Sequence, residues 1–109
     1  MTVDELIRTT VNAAGISKVI AGEYPGDTMP YVTYSYYINP ADYSDNEPRT
    51  LVHNCILHLV YDKTFDGVAL CKTLRDALFA AGFSYPSQSP GTERDVTDII
   101  FECNIKAAV

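Results

Sequence analysis

Lysine and arginine are scarce in this sequence: there are 8 of them among 109 residues, against 14 aspartates and glutamates, and the formal net charge is -6. The basic residues are scattered singly along the chain. Proteins that hold nucleic acid neutralise its phosphates with clustered lysines and arginines. The composition therefore argues against a nucleic-acid-binding protein, but it suits a surface past which DNA slides without sticking.

Cysteine occurs three times, an odd number with no CxxC pair, so no disulfide framework is indicated. We expect Cys55, Cys71 and Cys103 to be free thiols in the core. No apolar run approaches the roughly 18 residues that cross a bilayer, and the first residues do not resemble an export signal, so we expect no membrane association. Phosphate loops, nucleophile elbows and HExxH are also absent. We therefore expect no cofactor, no bound metal and no catalytic residue.

Two helices are predicted from their end signals. The first begins at a capping box formed by Thr2 and Glu5 and ends at Gly15, which suits a left-handed terminal residue. The second begins at Asp66 and ends at Gly82. Its predicted buried stripe consists of Val68, Cys71, Leu74, Leu78 and Ala81.

Strands are predicted over 16–21, over the aromatic run 31–38, over 50–62 and over 97–109, each from β-branched or alternating apolar residues. Residues 39–49 contain two prolines and three acids, which predicts a loop much longer than a hairpin needs. The resulting fold is α+β in a single domain over 1–109. In this fold two helices pack on one face of a mainly antiparallel sheet of four to five strands.

Strand 50–62 is partly apolar on both of its faces. One face is expected to lie under the helices, and the other under a neighbouring subunit. The residues that we predict for this subunit interface are Val52, Ile56, Val60 and Ile100.

A pocket that uses His53, Cys55 and His58 is the alternative to an assembly role. His53 and Cys55 share one strand face, and Cys103 lies beside them if the last strand pairs nearby. Such a chain is a small cytosolic ligand-binding domain, or a thiol or metal enzyme, of the α+β type. A third hypothesis is a dimeric interaction module that forms no ring.

Two segments carry a family resemblance: the strand entry Pro30-Tyr31-Val32-Thr33-Tyr34, and the helix over 70–78 that ends in Ala81-Gly82-Phe83. With the order of elements, they resemble the tail-terminator and tail-completion proteins of long-tailed bacteriophages, including lambda U-like proteins of siphophages and prophages. The likeness covers nearly the whole chain.

The resemblance implies a structural protein without enzymatic activity, located in the virion tail and, during assembly, in the host cytoplasm. It implies a homo-oligomeric ring, usually of six copies, that binds the tail tube protein, ends tube polymerisation and joins the head-tail connector proteins. DNA passes through such a ring without specific binding. By position, we predict partner-binding loops at Asp42, Tyr43, Asp45 and Glu47, and at Arg94.

Overall fold

The computed structural model describes residues 2–24, 26, 28–91 and 96–108. Arg94 lies outside these residues. The elements, in chain order, are α1 (Val3–Ala13), β1 (Lys18–Ala21), β2 (Tyr31–Ser44), β3 (Glu47–Tyr61), α2 (Gly67–Ala80), β4 (Ser87–Pro90) and β5 (Thr97–Ala108).

The five strands form one sheet in the order β1-β2-β3-β5-β4. β1 pairs with β2 in parallel, and the other three pairings are antiparallel. Both helices lie against the same face of the sheet, where alternate strand residues are buried. The buried apolar residues of this two-layer core include Ile7, Val11, Val32, Tyr34, Leu57, Leu59, Leu74, Leu78, Phe83 and Phe101. The predicted α+β fold is confirmed.

The predicted helix ends are confirmed by their hydrogen bonds. The Thr2 side chain accepts a hydrogen bond from the Glu5 amide at 3.1 Å, and Asp66 accepts one from the Ala69 amide at 3.2 Å. After α2, Gly82 has a φ of 105°, and the Phe83 amide donates to the Leu78 carbonyl at 3.1 Å. This left-handed termination turns Phe83 back into the core. Neither described helix is long and apolar enough to cross a bilayer.

The prediction that Val68 belongs to the buried stripe of α2 is wrong, because this residue is 83% exposed. At about 100° per residue, Val68 lies about 90° from the centre of the stripe formed by Cys71, Leu74 and Leu78. These three residues are buried as predicted.

The predicted loop over 39–49 is also wrong, because β2 and β3 continue through it as one hairpin. Pairing runs unshifted from Tyr31 opposite Val60 to Ser44 opposite Glu47. Only Asp45 and Asn46 form the turn, with φ of 53° and 65°, as a type I′ turn requires. Pro40 and Pro48 are tolerated because neither lies where β1 or β5 would need its missing N–H.

The hairpin extends well beyond the helix-covered core. We call residues 39–52, which lie past the end of β1 pairing, the arm. The arm contributes to an elongated molecule with principal extents of 54 × 24 × 23 Å.

Candidate assembly surfaces

The sheet face opposite the helices, which we call the open face, carries the predicted subunit-interface residues. Val52, Ile56 and Val60 alternate along β3, and Ile100 on β5 lies opposite His58. Val52, Ile56 and Ile100 are half-buried. Val60 is only 3% exposed, so its side chain has little area left for a partner.

Val60 lies at a pocket that the sequence did not predict. Residues after β1 fold over this end of the open face, where the Tyr24 ring packs edge-on against Tyr31 with centroids 4.7 Å apart. The pocket has a volume of about 470 Å³, and its wall includes Tyr24, Thr33, Ser35, His58, Val60 and Asp98.

His58 and Asp98 form a pair inside this pocket. The Nδ1 atom of His58 lies 3.2 Å from each carboxylate oxygen of Asp98. The Asp98 side chain is nearly inaccessible, whereas that of His58 is 39% exposed. Gly91 covers the carboxylate, and a Cβ at Gly91 would collide with it. Alternation along β3 places His58 on this face, whereas the burial of Asp98 has no local sequence signal, because it depends on Gly91 in the connection between β4 and β5.

Of the residues proposed for a thiol or metal site, His53, Cys55 and Cys103 lie on the helix-covered face, whereas His58 lies on the open face. Cys55 lies directly opposite Cys103, and the His53 ring packs against Tyr36 with centroids 5.6 Å apart. Burial raises the pKa of Cys55 to about 11 and that of Cys103 to about 12, so both thiols are protonated at neutral pH. Among the described residues, no three His, Cys, Asp or Glu side chains are grouped to hold a metal ion.

Asp4 links α1 to the aromatic strand β2. Its two carboxylate oxygens accept hydrogen bonds from the hydroxyls of Tyr34 at 2.8 Å and Tyr36 at 2.9 Å. These bonds lower the pKa of Asp4. Burial and then the Asp4 bond raise the pKa of Tyr34, and the Asp4 bond and then burial raise the pKa of Tyr36. Tyr34 and Tyr36 therefore stabilise the fold, because their rings pack in the core and their hydroxyls bond to α1 at its edge.

The four predicted contact residues of the described chain all lie on the arm, although it is a hairpin and not a loop. Asp42 has a left-handed backbone with a φ of 54°, and its carboxylate accepts a hydrogen bond from Thr50 at 2.6 Å. The same carboxylate lies 3.7 Å from the Lys106 ammonium. The Thr50 bond and then the Lys106 charge lower the pKa of Asp42.

The remaining three arm residues surround the turn. Tyr43 is 61% exposed, Asp45 occupies the first turn position, and Glu47 begins β3. Within the described residues, neither Asp45 nor Glu47 has an ion-pair partner. The arm thus presents an exposed aromatic ring near its turn, with Asp45 at the tip, Glu47 on the opposite face of the hairpin, and the exposed Arg49 two residues after Glu47.

A second exposed aromatic group lies at the C-terminal end of α2, where the sequence predicted no site. Phe79 and Tyr85 are 58% and 59% exposed, and their rings pack edge-on with centroids 5.5 Å apart. Lys72 pairs with Asp76 at 2.7 Å, whereas Arg75 donates to the neutral Gln88 amide oxygen. The helix patch, defined as Lys72, Arg75, Phe79 and Tyr85, therefore retains positive charge.

No protein-family model matches the sequence, and neither does any curated protein. A chain in a solved structure described as the virion of a native gene transfer agent particle is similar in fold, with a TM-score of 0.62. The alignment covers 98% of this chain and 95% of that chain, at 15% sequence identity. At this identity the comparison establishes a shared fold over nearly the whole length of both chains.

Proposed function

We propose that this protein is a structural component of a phage-like virion, and that within the particle it caps the tail tube. The observation that carries the proposal is the fold likeness over 98% of the chain to a chain of a gene transfer agent virion. That likeness supports the broader role in a virion. The tail-terminator assignment also rests on the sequence resemblance given above.

In this role the protein forms a closed ring, of six copies as the resemblance implies. Val52, Ile56 and Ile100 on the open face contribute to the contacts between copies. Half-buried apolar side chains on an uncovered sheet face support this role, because a neighbouring copy would remove them from water. Val60 supports the packing beneath this surface.

The arm provides the second contact element, through Asp42, Tyr43, Asp45 and Glu47. A hairpin that extends past its own core cannot bury its exposed side chains there, which supports a contact with another chain. The partners that complete the proposal are the tail tube protein and the head-tail connector proteins. The net charge of -6 supports passage of DNA without retention, since like charges repel.

We infer that the protein acts without catalysis. The raised pKa values of Cys55 and Cys103 support this inference, because a protonated and buried thiol is a poor nucleophile.

The test is assembly with the tail tube protein from the same genome. Purified protein added to growing tubes is expected to stop elongation and to appear at one tube end as a ring in negative-stain images. The matched variant lacks residues 41–44 and 47–50. It keeps the Asp45-Asn46 turn between the paired residues Pro40 and Leu51, so it should fold but cap poorly. Tubes that elongate unchecked with the wild-type protein, and carry nothing at either end, would reject the capping role.

A further inference from the structure

We propose that the arm of one copy docks on the helix patch of the next copy, so that successive copies join head to tail. This inference rests on the proposed ring and identifies two surfaces that contribute to its closure in addition to the open face. The contact is made end-on by the turn of the arm, which places Tyr43 beside Phe79 and Tyr85, and Asp45 and Glu47 near Arg75.

The two surfaces are complementary in charge. Outside the Asp42–Lys106 and Lys72–Asp76 pairs, the arm carries Asp45 and Glu47 against Arg49, which leaves it negative, and the patch carries Arg75, whose partner is a neutral amide. Each surface also presents aromatic rings that are more than half exposed. Opposite charges around an aromatic centre are typical of specific protein interfaces, in which charge determines the partner and register.

The arm of a chain cannot reach the helix patch of the same chain. Ser84 fixes the end of the patch to β5, because its amide donates to the Asn104 carbonyl at 2.8 Å. Asn104 lies opposite Asn54 on β3. Glu47 is seven residues farther along β3, which is about 23 Å at 3.3 Å per residue. Pairing on both sides of Asp42 keeps the arm extended, so a helix patch that the arm contacts belongs to another copy.

A contact between two different surfaces is heterologous. Repetition of such a contact produces a ring when the rotation closes, whereas a contact between identical surfaces stops at a dimer. The arm and helix patch therefore meet the requirement that a ring of identical subunits imposes.

The first test exchanges charges between the two surfaces. The arm variant is Asp45→Lys with Glu47→Lys, and the patch variant is Arg75→Glu. Each is expected to weaken self-association by about tenfold or more, because like charges then face each other. The combination of all three substitutions should recover most of that loss. Lys63→Glu, which reverses a charge in the exposed connection between β3 and α2, is the control and should have no effect.

The second test mixes two defective chains. The arm-trimmed variant, which lacks residues 41–44 and 47–50, retains a normal patch. The variant with both Arg75→Glu and Phe79→Ala retains a normal arm. Their mixture is expected to form one-to-one pairs and nothing larger, as measured by native mass spectrometry. Each assembly is measured both in free solution and on tail tube ends, so that a ring that needs the tube in order to form is also detected.

Three results would overturn the inference: no recovery in the combined charge variant, no pairs in the mixture, or a wild-type chain that remains monomeric in both settings. Intact rings made from arm-trimmed chains that then fail to bind tubes would instead assign the arm to the tube protein. Capping by such rings would reject the arm contact while leaving the proposed function in place. Failure of the wild-type protein to cap tubes would reject the function itself.

Discussion

The two faces of this sheet differ in how completely the chain covers them, although β3 carries apolar side chains on both. Leu57 and Ile56 are neighbours on β3, yet Leu57 is fully buried under the helices, while Ile56 on the open face remains half-buried. Burial of an apolar side chain stabilises whichever state contains it. The covered face therefore stabilises the folded subunit, and the open face holds apolar area that an assembly would bury.

The largest expected difference between the faces is in the free energy of unfolding, and it is measured by a matched pair of alanine substitutions. Leu57→Ala should reduce the free energy of unfolding by about 3 to 5 kcal/mol, because it leaves a cavity in a closed core. Ile56→Ala should reduce it by about 1 kcal/mol or less, since the lost contacts are partly with solvent. Urea denaturation of both variants measures the difference.

The same two variants should rank in the opposite order when assembly is measured. Ile56→Ala is expected to weaken ring formation at concentrations where Leu57→Ala, if still folded, assembles normally. Equal losses of stability in the two variants would mean that the open face is as tightly packed as the covered one, and would remove the physical basis for a neighbouring subunit there.

The covered face was the predictable part of the molecule. Thr2, Asp66, Gly15 and Gly82 mark both helices through local backbone chemistry, and alternation assigns the strand faces without any long-range information. These signals depend only on residues close together in sequence, which is why a single sequence suffices to identify them.

The less predictable features depend on pairing or on distant contacts. Prolines at 40 and 48 indicated a loop, but both lie on parts of the hairpin with which neither β1 nor β5 pairs, and the informative signal was the Asp45-Asn46 dipeptide. Burial of Asp98 requires Gly91 above it. The helix patch requires the chain after α2 to bring Tyr85 beside Phe79. None of these contacts produces a periodic pattern in the amino-acid sequence.

The link between α1 and β2 provides a smaller, pH-dependent test of the covered side. Asp4→Asn should cost about 1 to 2 kcal/mol at neutral pH, because the charged acceptor of two tyrosine hydroxyls is lost. The Asp4 pKa is lower in the folded protein than its ordinary value of 3.8. The wild-type protein should therefore lose this contribution as the pH falls below about 4, while the variant should not.

Two tyrosine variants control for this interpretation. Tyr36→Phe removes one of the two hydrogen bonds to Asp4, whereas Tyr37→Phe alters an adjacent, exposed ring that lies on the opposite face. Thermal unfolding should separate the first variant from wild type less at pH 3 than at neutral pH, because Asp4 is increasingly protonated as the pH falls, and should separate the second at neither pH. A pH-independent cost of Asp4→Asn would show that the carboxylate charge does not contribute.

The smallest expected effect is the near-absence of thiol reactivity on the covered face. With a pKa of about 11, only about one Cys55 in a thousand is a thiolate at pH 8, against about one in ten at the ordinary 9.0. Alkylation of the native protein should therefore be at least about a hundredfold slower than in urea, and slower still at Cys103, whose pKa is about 12. Mass spectrometry of timed iodoacetamide reactions measures both sites. Rapid native labelling of either cysteine would mean that the covered face opens readily or that its thiols are activated, which would favour the alternative of a thiol enzyme over an assembly subunit.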